Sequence, residues 1–273
     1  MRKIEEGYKV ENEYHNAIHA ASVLHSVHRI LVHARVVDSI STDVHSRALN
    51  LLVSYIAAVV HDYRHAGVTN NFLIDTASPT AILYNDASPH ENMHSASAFQ
   101  LIMDERYNFI NSFSKDEART FRNHVITMVL HTDMQQHFPL LSRFKMRIGA
   151  SRRASAEFDT VLPPNDKDAT LVLQMVLKVT DLSHLTYSFD LHKMWVLKLE
   201  AEMFSQGDLE DRMGLPRSAM CDREKPGISS SQTDFIEFVA TGLLHAFSTT
   251  FPLTRPMMEA LDRNHEEWER VNN

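Results

Sequence analysis

The sequence predicts an all-α protein, folded as a single compact domain of many helices. Apolar residues recur at helical spacing over most of its 273 residues. Only 7 glycines and 9 prolines are present, so long helices meet few interruptions. No hairpin turn signal flanks the apolar run 171–179, which argues against a strand there.

The first two helices are predicted near the N-terminus. Segment 16–34 carries apolar residues at spacings of three, four and five. Segment 46–62 is apolar nearly all round, which indicates a buried central helix. It ends at His61-Asp62, and Gly67 is a suitable stop soon after.

The remaining helices follow in order along the chain. They are predicted at 92–104, 115–133, 168–181, 189–206, 231–248 and 255–271. The apolar run 171–179 also fits a short buried strand, but its length and its helical neighbours favour a helix. Segments 149–167 and 206–230 lack periodicity and are predicted as loops inside the domain.

Composition limits the classes of function. The net charge of −8, with both signs interspersed, argues against a nucleic-acid-binding surface. A small anionic ligand stays possible, because a bound metal reverses the sign of a pocket locally. The single cysteine, Cys221, excludes an internal disulfide and fits a reducing compartment.

No targeting segment is evident. The longest apolar runs fall short of the ~18 residues of a membrane span, and the N-terminus lacks a signal-peptide pattern. We therefore expect a cytosolic location for this segment and no membrane contact, although a longer parent protein could carry a membrane anchor. The sequence contains no signal for an oligomeric state.

Five residues far apart in the chain are of the types that a two-metal phosphohydrolase needs. His15 and His19 are four apart, which places them on one face of a helix. His61-Asp62 and Asp181 each end an apolar segment, where a buried carboxylate must be paired, hydrogen-bonded or metal-bound. Each feature alone has an ordinary surface or capping explanation, but together they predict a two-metal site in a central pocket, with Asp62 as the best candidate for a bridge.

Further short motifs surround these residues in a fixed order. They are Tyr14-His15-Asn16-x-x-His19, His61-Asp62-x-x-His65-x-Gly67-x-x-Asn70-Asn71-Phe72-Leu73, Leu83-Tyr84-Asn85-Asp86, Glu91-Asn92, Thr132-Asp133-Met134, Asp181-Leu182-Ser183, Gln206-Gly207-Asp208, Met220-Cys221-Asp222 and Ser231-Gln232-x-x-Phe235-Ile236. In this order they resemble the catalytic domain of class I cyclic nucleotide phosphodiesterases, which belong to the HD-type metal phosphohydrolases. The similarity runs from Tyr14 to about Trp268 and implies that 1–273 is one such domain, lacking some N-terminal helices that relatives have.

The resemblance implies a metal centre with two cations. The ligands of a tightly held Zn²⁺ would be His19, His61, Asp62 and Asp181. Asp62 would bridge to a second ion, Mg²⁺ or Mn²⁺. The groups hydrogen-bonded to the waters of that second ion would be His65, Glu91 and Thr132.

The resemblance also implies a mechanism. A hydroxide between the metals would attack the cyclic phosphate, and His15 would be the general acid that protonates the leaving 3′ oxygen. Glu91 is expected to help keep His15 charged. The products would be 5′-nucleoside monophosphates from cyclic AMP, cyclic GMP or both.

The substrate-binding residues implied by the resemblance are Tyr14, Leu199, Gln232 and Phe235. The Gln232 amide can donate and accept toward a purine edge, and the Phe235 ring can stack on its face. Without the resemblance, Phe235 would be interpreted as ordinary core. His184 stands where adenine-selective relatives often have asparagine, a hint of dual specificity.

Two rival functions stay open. One is a catalytically silent module that binds cyclic nucleotides, suggested by the short N-terminus and by Arg64, which we expect to point outward. The other is an HD-type phosphohydrolase acting on linear nucleotides, against which Gln232-x-x-Phe235 argues. In addition, the sequence Arg152-Arg153-Ala154-Ser155 fits a basic-directed kinase site, so a kinase activated by cyclic AMP is a possible regulatory partner at Ser155.

Overall fold

The computed structural model describes residues 1–149 and 166–272. Every regular element in these two ranges is a helix, so the predicted all-α fold is confirmed. None of the described helices has the length and apolarity that a membrane crossing requires. The kinase motif ending at Ser155, and most of the predicted loop 149–167, lie outside the described residues.

The described α-helices follow one another along most of the chain. They are α1 (Arg2–Glu5), α2 (Ala17–His28), α3 (Val44–Val60), α4 (Asn70–Asp75), α5 (Pro79–Leu83), α6 (Pro89–Ile102), α7 (Lys115–Leu130), α8 (His137–Phe144), α9 (Asp166–Asp181), α10 (Phe189–Arg212), α11 (Gln232–Phe235), α12 (Thr241–Thr250) and α13 (Arg255–Asn272). A π-helical segment, Ile236–Ala240, joins α11 to α12, so the predicted helix 231–248 is one rod with a local change of hydrogen bonding. The sequence missed α1, α4, α5 and α8, which are too short to show a clear period.

The centre of the fold contains α2, α3, α7 and α9, which pack against one another in one apolar core. Residues 171–180 of α9 are all buried, which explains why this segment is largely apolar and confirms the helix prediction there. The last turn of α3 is buried as well. The core thus carries His61-Asp62 and Asp181, which follow or end these two helices, into the interior.

The helix α10 is longer than predicted. It runs to Arg212, so the prediction that a loop begins at 206 is wrong. The last turns continue because one face of them is buried, including Gln206, Gly207 and Glu210. A Cβ on Gly207 would lie 1.8 Å from the carbonyl oxygen of Cys221, so glycine lets the following segment pack directly on the helix.

Candidate functional site

The cap at the start of α2 places His15 and His19. The Asn16 side chain accepts hydrogen bonds from the backbone N–H groups of Ile18 and His19, at 2.9 and 3.3 Å, as an N-cap residue does. The helix therefore begins at Ala17 and holds His19 in its first turn. His15 precedes the cap, so the prediction that both histidines share a helix face is wrong. Their ring centroids nevertheless lie only 6.1 Å apart.

Four ligand atoms meet between α2, α3 and α9. His61 Nε2 lies 3.0 Å from Asp62 Oδ2 and 3.3 Å from Asp181 Oδ1. His19 Nε2 lies 3.2 Å from His61 Nε2, 3.1 Å from Asp181 Oδ1 and 3.4 Å from Asp62 Oδ2. A tetrahedral zinc ion about 2.0–2.1 Å from each ligand separates its ligand atoms by about 3.3–3.4 Å. The spacing of these four side chains therefore fits a metal ion.

Lone pairs face the centre of this cluster. His61 Nδ1 donates to the carbonyl oxygen of Ala58 at 2.8 Å, so in the neutral ring Nε2 carries the lone pair. Asp62 Oδ2 is buried and accepts no hydrogen bond. A buried acceptor without a donor is unfavourable. Because a cation would satisfy both atoms, the donor set fits a divalent metal.

The electrostatics of the cluster favour positive charge. Burial raises the pKa of Asp181, but its contacts with the His19 and His61 imidazoles outweigh burial and hold the pKa well below its usual range. Burial lowers the pKa of His61, while the charges of Asp62 and Asp181 raise it, and the net shift is strongly upward. The carboxylates are thus ionised, and the cluster attracts a cation.

His15 is held by Glu202, a residue that the sequence did not single out. Glu202 Oε2 accepts from the backbone N–H groups of Tyr14 and His15 at 2.9 and 3.0 Å, and Oε1 lies 2.5 Å from His15 Nδ1. Burial lowers the pKa of His15, but the charge and hydrogen bond of Glu202 raise it to about 9. Glu202, rather than Glu91, therefore keeps His15 protonated at neutral pH. Glu91 instead accepts a hydrogen bond from Asn70 at 2.9 Å.

Three further predicted residues surround the cluster. The His65 ring stacks on the His15 ring, with centroids 3.9 Å apart, and accepts a hydrogen bond at Nδ1 from the Gly67 N–H. Burial and the charge of His15 hold the pKa of His65 well below its usual value, so His65 is neutral with its proton on Nε2. Burial raises the pKa of Glu91 to about 7. Thr132 Oγ1 donates to the carbonyl oxygen of Val129 at 2.8 Å.

A cavity of about 450 Å³ opens beside the cluster, a size typical of small-molecule sites. The predicted site residues that line it are Tyr14, His15, Asp62, His65, Glu91, Thr132, Asp181, Leu199 and Phe235. His19 and His61 are buried behind this wall. Gln232 is also behind it and is 2% exposed. Its Nε2 donates to the carbonyl oxygen of Ile228 at 3.1 Å, and its Oε1 is buried without a partner.

A buried relay fixes the ring of His184. Trp268 Nε1, which can only donate, donates to His192 Nε2 at 2.8 Å. The proton of His192 is therefore on Nδ1, which lies 3.1 Å from His184 Nδ1. His184 must accept there and carry its own proton on Nε2. Burial holds the pKa of His184 well below its usual value, so the ring is neutral.

Three further residues of the cavity wall share one face of α10. Glu202, Met203 and Gln206 follow Leu199 at intervals of three, four and seven, and all four line the cavity. Helical spacing counted from Leu199 was therefore the available signal. The partner of Glu202 could not be found in this way, because it lies in a segment 187 residues away.

The chain resembles known proteins in both sequence and fold. The model of the 3′5′-cyclic nucleotide phosphodiesterase family matches residues 14–261. The chain belongs to this family. Similar solved phosphodiesterase domains include that of the RhoPDE fusion protein from the choanoflagellate Salpingoeca rosetta. That domain is 29% identical, with a TM-score of 0.87 over 99% of this chain and 81% of the other.

Curated members of the family are more similar in sequence. A Drosophila melanogaster protein described as dual specificity calcium/calmodulin-dependent 3′,5′-cyclic nucleotide phosphodiesterase 1 is 36% identical over 240 residues. The Mus musculus protein with the corresponding description, 1C, is 39% identical over 241 residues. Each alignment covers 88% of this phosphodiesterase-family chain but only 27% and 31% of the relative. The chain therefore spans less than a third of the length of these relatives.

Proposed function

We propose that the protein hydrolyses 3′,5′-cyclic nucleotides to 5′-nucleoside monophosphates with two divalent cations. The observation that carries this proposal is the four-atom ligand cluster, two members of which share a cavity wall with the protonated His15. A cation centre draws a phosphate into the cavity, and an adjacent acid supplies the proton that an alkoxide leaving group needs. Membership in the phosphodiesterase family supports the same reaction.

The side chains suggest which cations are bound. We infer Zn²⁺ for the cluster of His19, His61, Asp62 and Asp181, because imidazole and carboxylate ligands at this spacing suit zinc. We infer Mg²⁺ or Mn²⁺ beside Asp62, where oxygen-rich surroundings line the cavity. That part of the wall contains His65, Glu91 and Thr132. When bound, the cations would supply an activated water and neutralise charge on the phosphate.

His15 would deliver the proton from one defined atom. Glu202 occupies Nδ1, so the proton available to a ligand is on Nε2. Glu202 also fixes the backbone N–H groups of Tyr14 and His15. The acid is therefore held in place by three contacts with a single carboxylate.

The base would bind at the apolar end of the cavity. Leu199, Ile228 and Phe235 line that cavity, and Gln232, whose Nε2 donates to Ile228, has a buried Oε1 without a partner. The Gln232 amide can present a donor or an acceptor. Because two relatives are described as dual-specificity enzymes, we propose that both cyclic AMP and cyclic GMP are substrates.

A hydrolysis assay tests the function directly. We expect the purified protein to convert both cyclic nucleotides to 5′-monophosphates, to lose activity in a strong chelator, and to regain it with Zn²⁺ plus Mg²⁺. Binding of a cyclic nucleotide without turnover in the metal-loaded protein would support the silent-module alternative. Preferential turnover of linear nucleotides in a competition assay would support the other HD-type reaction.

Replacing Phe235 should weaken substrate binding. Stacking of a base on an aromatic ring contributes about 1–3 kcal/mol, so we expect Phe235→Ala to raise KM by roughly 5- to 150-fold with a smaller change in kcat. Phe238 provides a matched control, because it lies in the same helical rod and is 66% exposed. An unchanged KM in Phe235→Ala, measured with both nucleotides, would remove Phe235 from the base site.

A further inference from the structure

Lys178 is a buried cation close to the candidate metal centre. It lies on α9, three residues before Asp181, and is 1% exposed. Its Nζ donates to the carbonyl oxygens of Thr132 and Asp133, at 2.6 and 3.3 Å, and lies 3.3 Å from Met134 Sδ. Among the described residues, its hydrogen-bonding partners are therefore two carbonyl oxygens and a sulfur, with no carboxylate.

The surroundings of Lys178 are negatively charged beyond these direct contacts. Burial is the largest influence on the pKa of Lys178 and lowers it, while the negative charges of Asp181, Asp133 and Glu91 favour the charged form. These three residues come from three different segments of the chain and all line the cavity. Lys178 thus stands behind the Thr132 side of the cavity wall, and both Thr132 and Glu91 belong to the surroundings proposed for the second cation.

Burying a lysine at this position has an unfavourable free energy of desolvation. Burying an ammonium group removes its hydration, whereas methionine would fill a similar volume without that penalty. The charge therefore calls for a physical role beyond packing. Around the second-cation position, several carboxylates repel one another, and a fixed positive charge offsets this repulsion.

We propose that Lys178 is a built-in counter-charge that weakens binding of the second cation and so keeps that cation exchangeable. This inference rests on the proposed function, because it concerns the cation proposed beside Asp62. The charge acts on a divalent ion through the protein interior, where screening by salt is weak. Its removal should therefore tighten cation binding, even though Thr132 and Asp133 lose a hydrogen-bond donor.

A purely structural role of Lys178 predicts the opposite change in cation affinity. If Lys178 only fixed the Thr132–Met134 segment, its loss would loosen the cavity wall and would weaken cation binding or leave it unchanged. The sign of the change in affinity therefore separates the two roles. Lys178→Arg keeps the charge, and Lys178→Met removes it.

The test measures Mn²⁺ binding without nucleotide, so it does not depend on turnover. The full chain is loaded with one equivalent of Zn²⁺ and titrated with Mn²⁺, and free Mn²⁺ is followed by electron paramagnetic resonance. We expect Lys178→Met to lower the Mn²⁺ Kd by at least about fivefold. Lys178→Arg should stay near the parent value. Lys167→Met removes an exposed lysine from the same helix and should also leave the Mn²⁺ Kd near the parent value.

Each outcome bears on the inference. An unchanged or raised Kd in folded Lys178→Met overturns it. If circular dichroism shows that this variant is unfolded, Lys178→Gln replaces it with the same expectation, because an amide keeps a donor without the charge. A parent protein that binds neither Zn²⁺ nor Mn²⁺ overturns the proposed metal centre and this inference with it. If the parent protein binds both Zn²⁺ and Mn²⁺ but Lys178→Met does not bind Mn²⁺ more tightly, only this inference is overturned.

Discussion

Replacing Asp181 with alanine should abolish hydrolysis while the helical fold survives. Asp181 Oδ1 lies 3.1 Å from His19 Nε2 and 3.3 Å from His61 Nε2, so the variant loses one of four ligand atoms and the charge that draws a cation to the others. Loss of a group that merely supports a ligand already costs about 10–100-fold. We expect kcat/KM to fall by more than about 10²-fold, with loss of bound zinc measured by mass spectrometry. Asp62→Ala should behave alike.

The control for this experiment is an exposed carboxylate. Asp262 lies on the solvent side of α13, so Asp262→Ala should retain the zinc and the activity of the parent. Circular dichroism of both variants verifies that the fold is intact. Full activity in folded Asp181→Ala would exclude this residue as a metal ligand and would leave the proposed centre without support.

Replacing His15 with glutamine should lower kcat by about 10²–10⁴-fold, the contribution expected of a general acid. The loss should be much smaller with a p-nitrophenyl phosphodiester, because that leaving group departs without protonation. Zinc content should not change, since His15 is not one of the four ligands. Equal losses with both substrates would show that His15 acts in binding or positioning rather than as an acid.

The pH profile gives an independent check of this role. A general acid must be protonated, so activity should fall as the pH rises through the pKa of His15, about 9. In Glu202→Gln the carboxylate charge that raises this pKa is absent, while the burial that lowers it stays. The alkaline limb of the profile should therefore move to lower pH. An unmoved limb in this variant would mean that another group titrates there.

The sequence by itself determined the fold class and the ligand types. Apolar periodicity predicted the long helices, because burial of one helix face is a local property of the chain. The largely apolar segments before His61-Asp62 and Asp181 also indicated that these polar residues enter the interior. The short helices were not predicted, because a few residues carry little periodic signal. The end of α10 was not predicted, because a distant segment of the chain buries it.

The tertiary structure decided how the site residues are paired. Glu202 meets His15 across 187 residues, and Lys178 meets Thr132 across 46, contacts that no local pattern specifies. It also placed Gln232 behind the cavity wall, where the family resemblance implied direct contact with a base. The residue types determine which chemistry is available. The packing sets the distances and nearby charges, and these determine which proton or cation each side chain can hold.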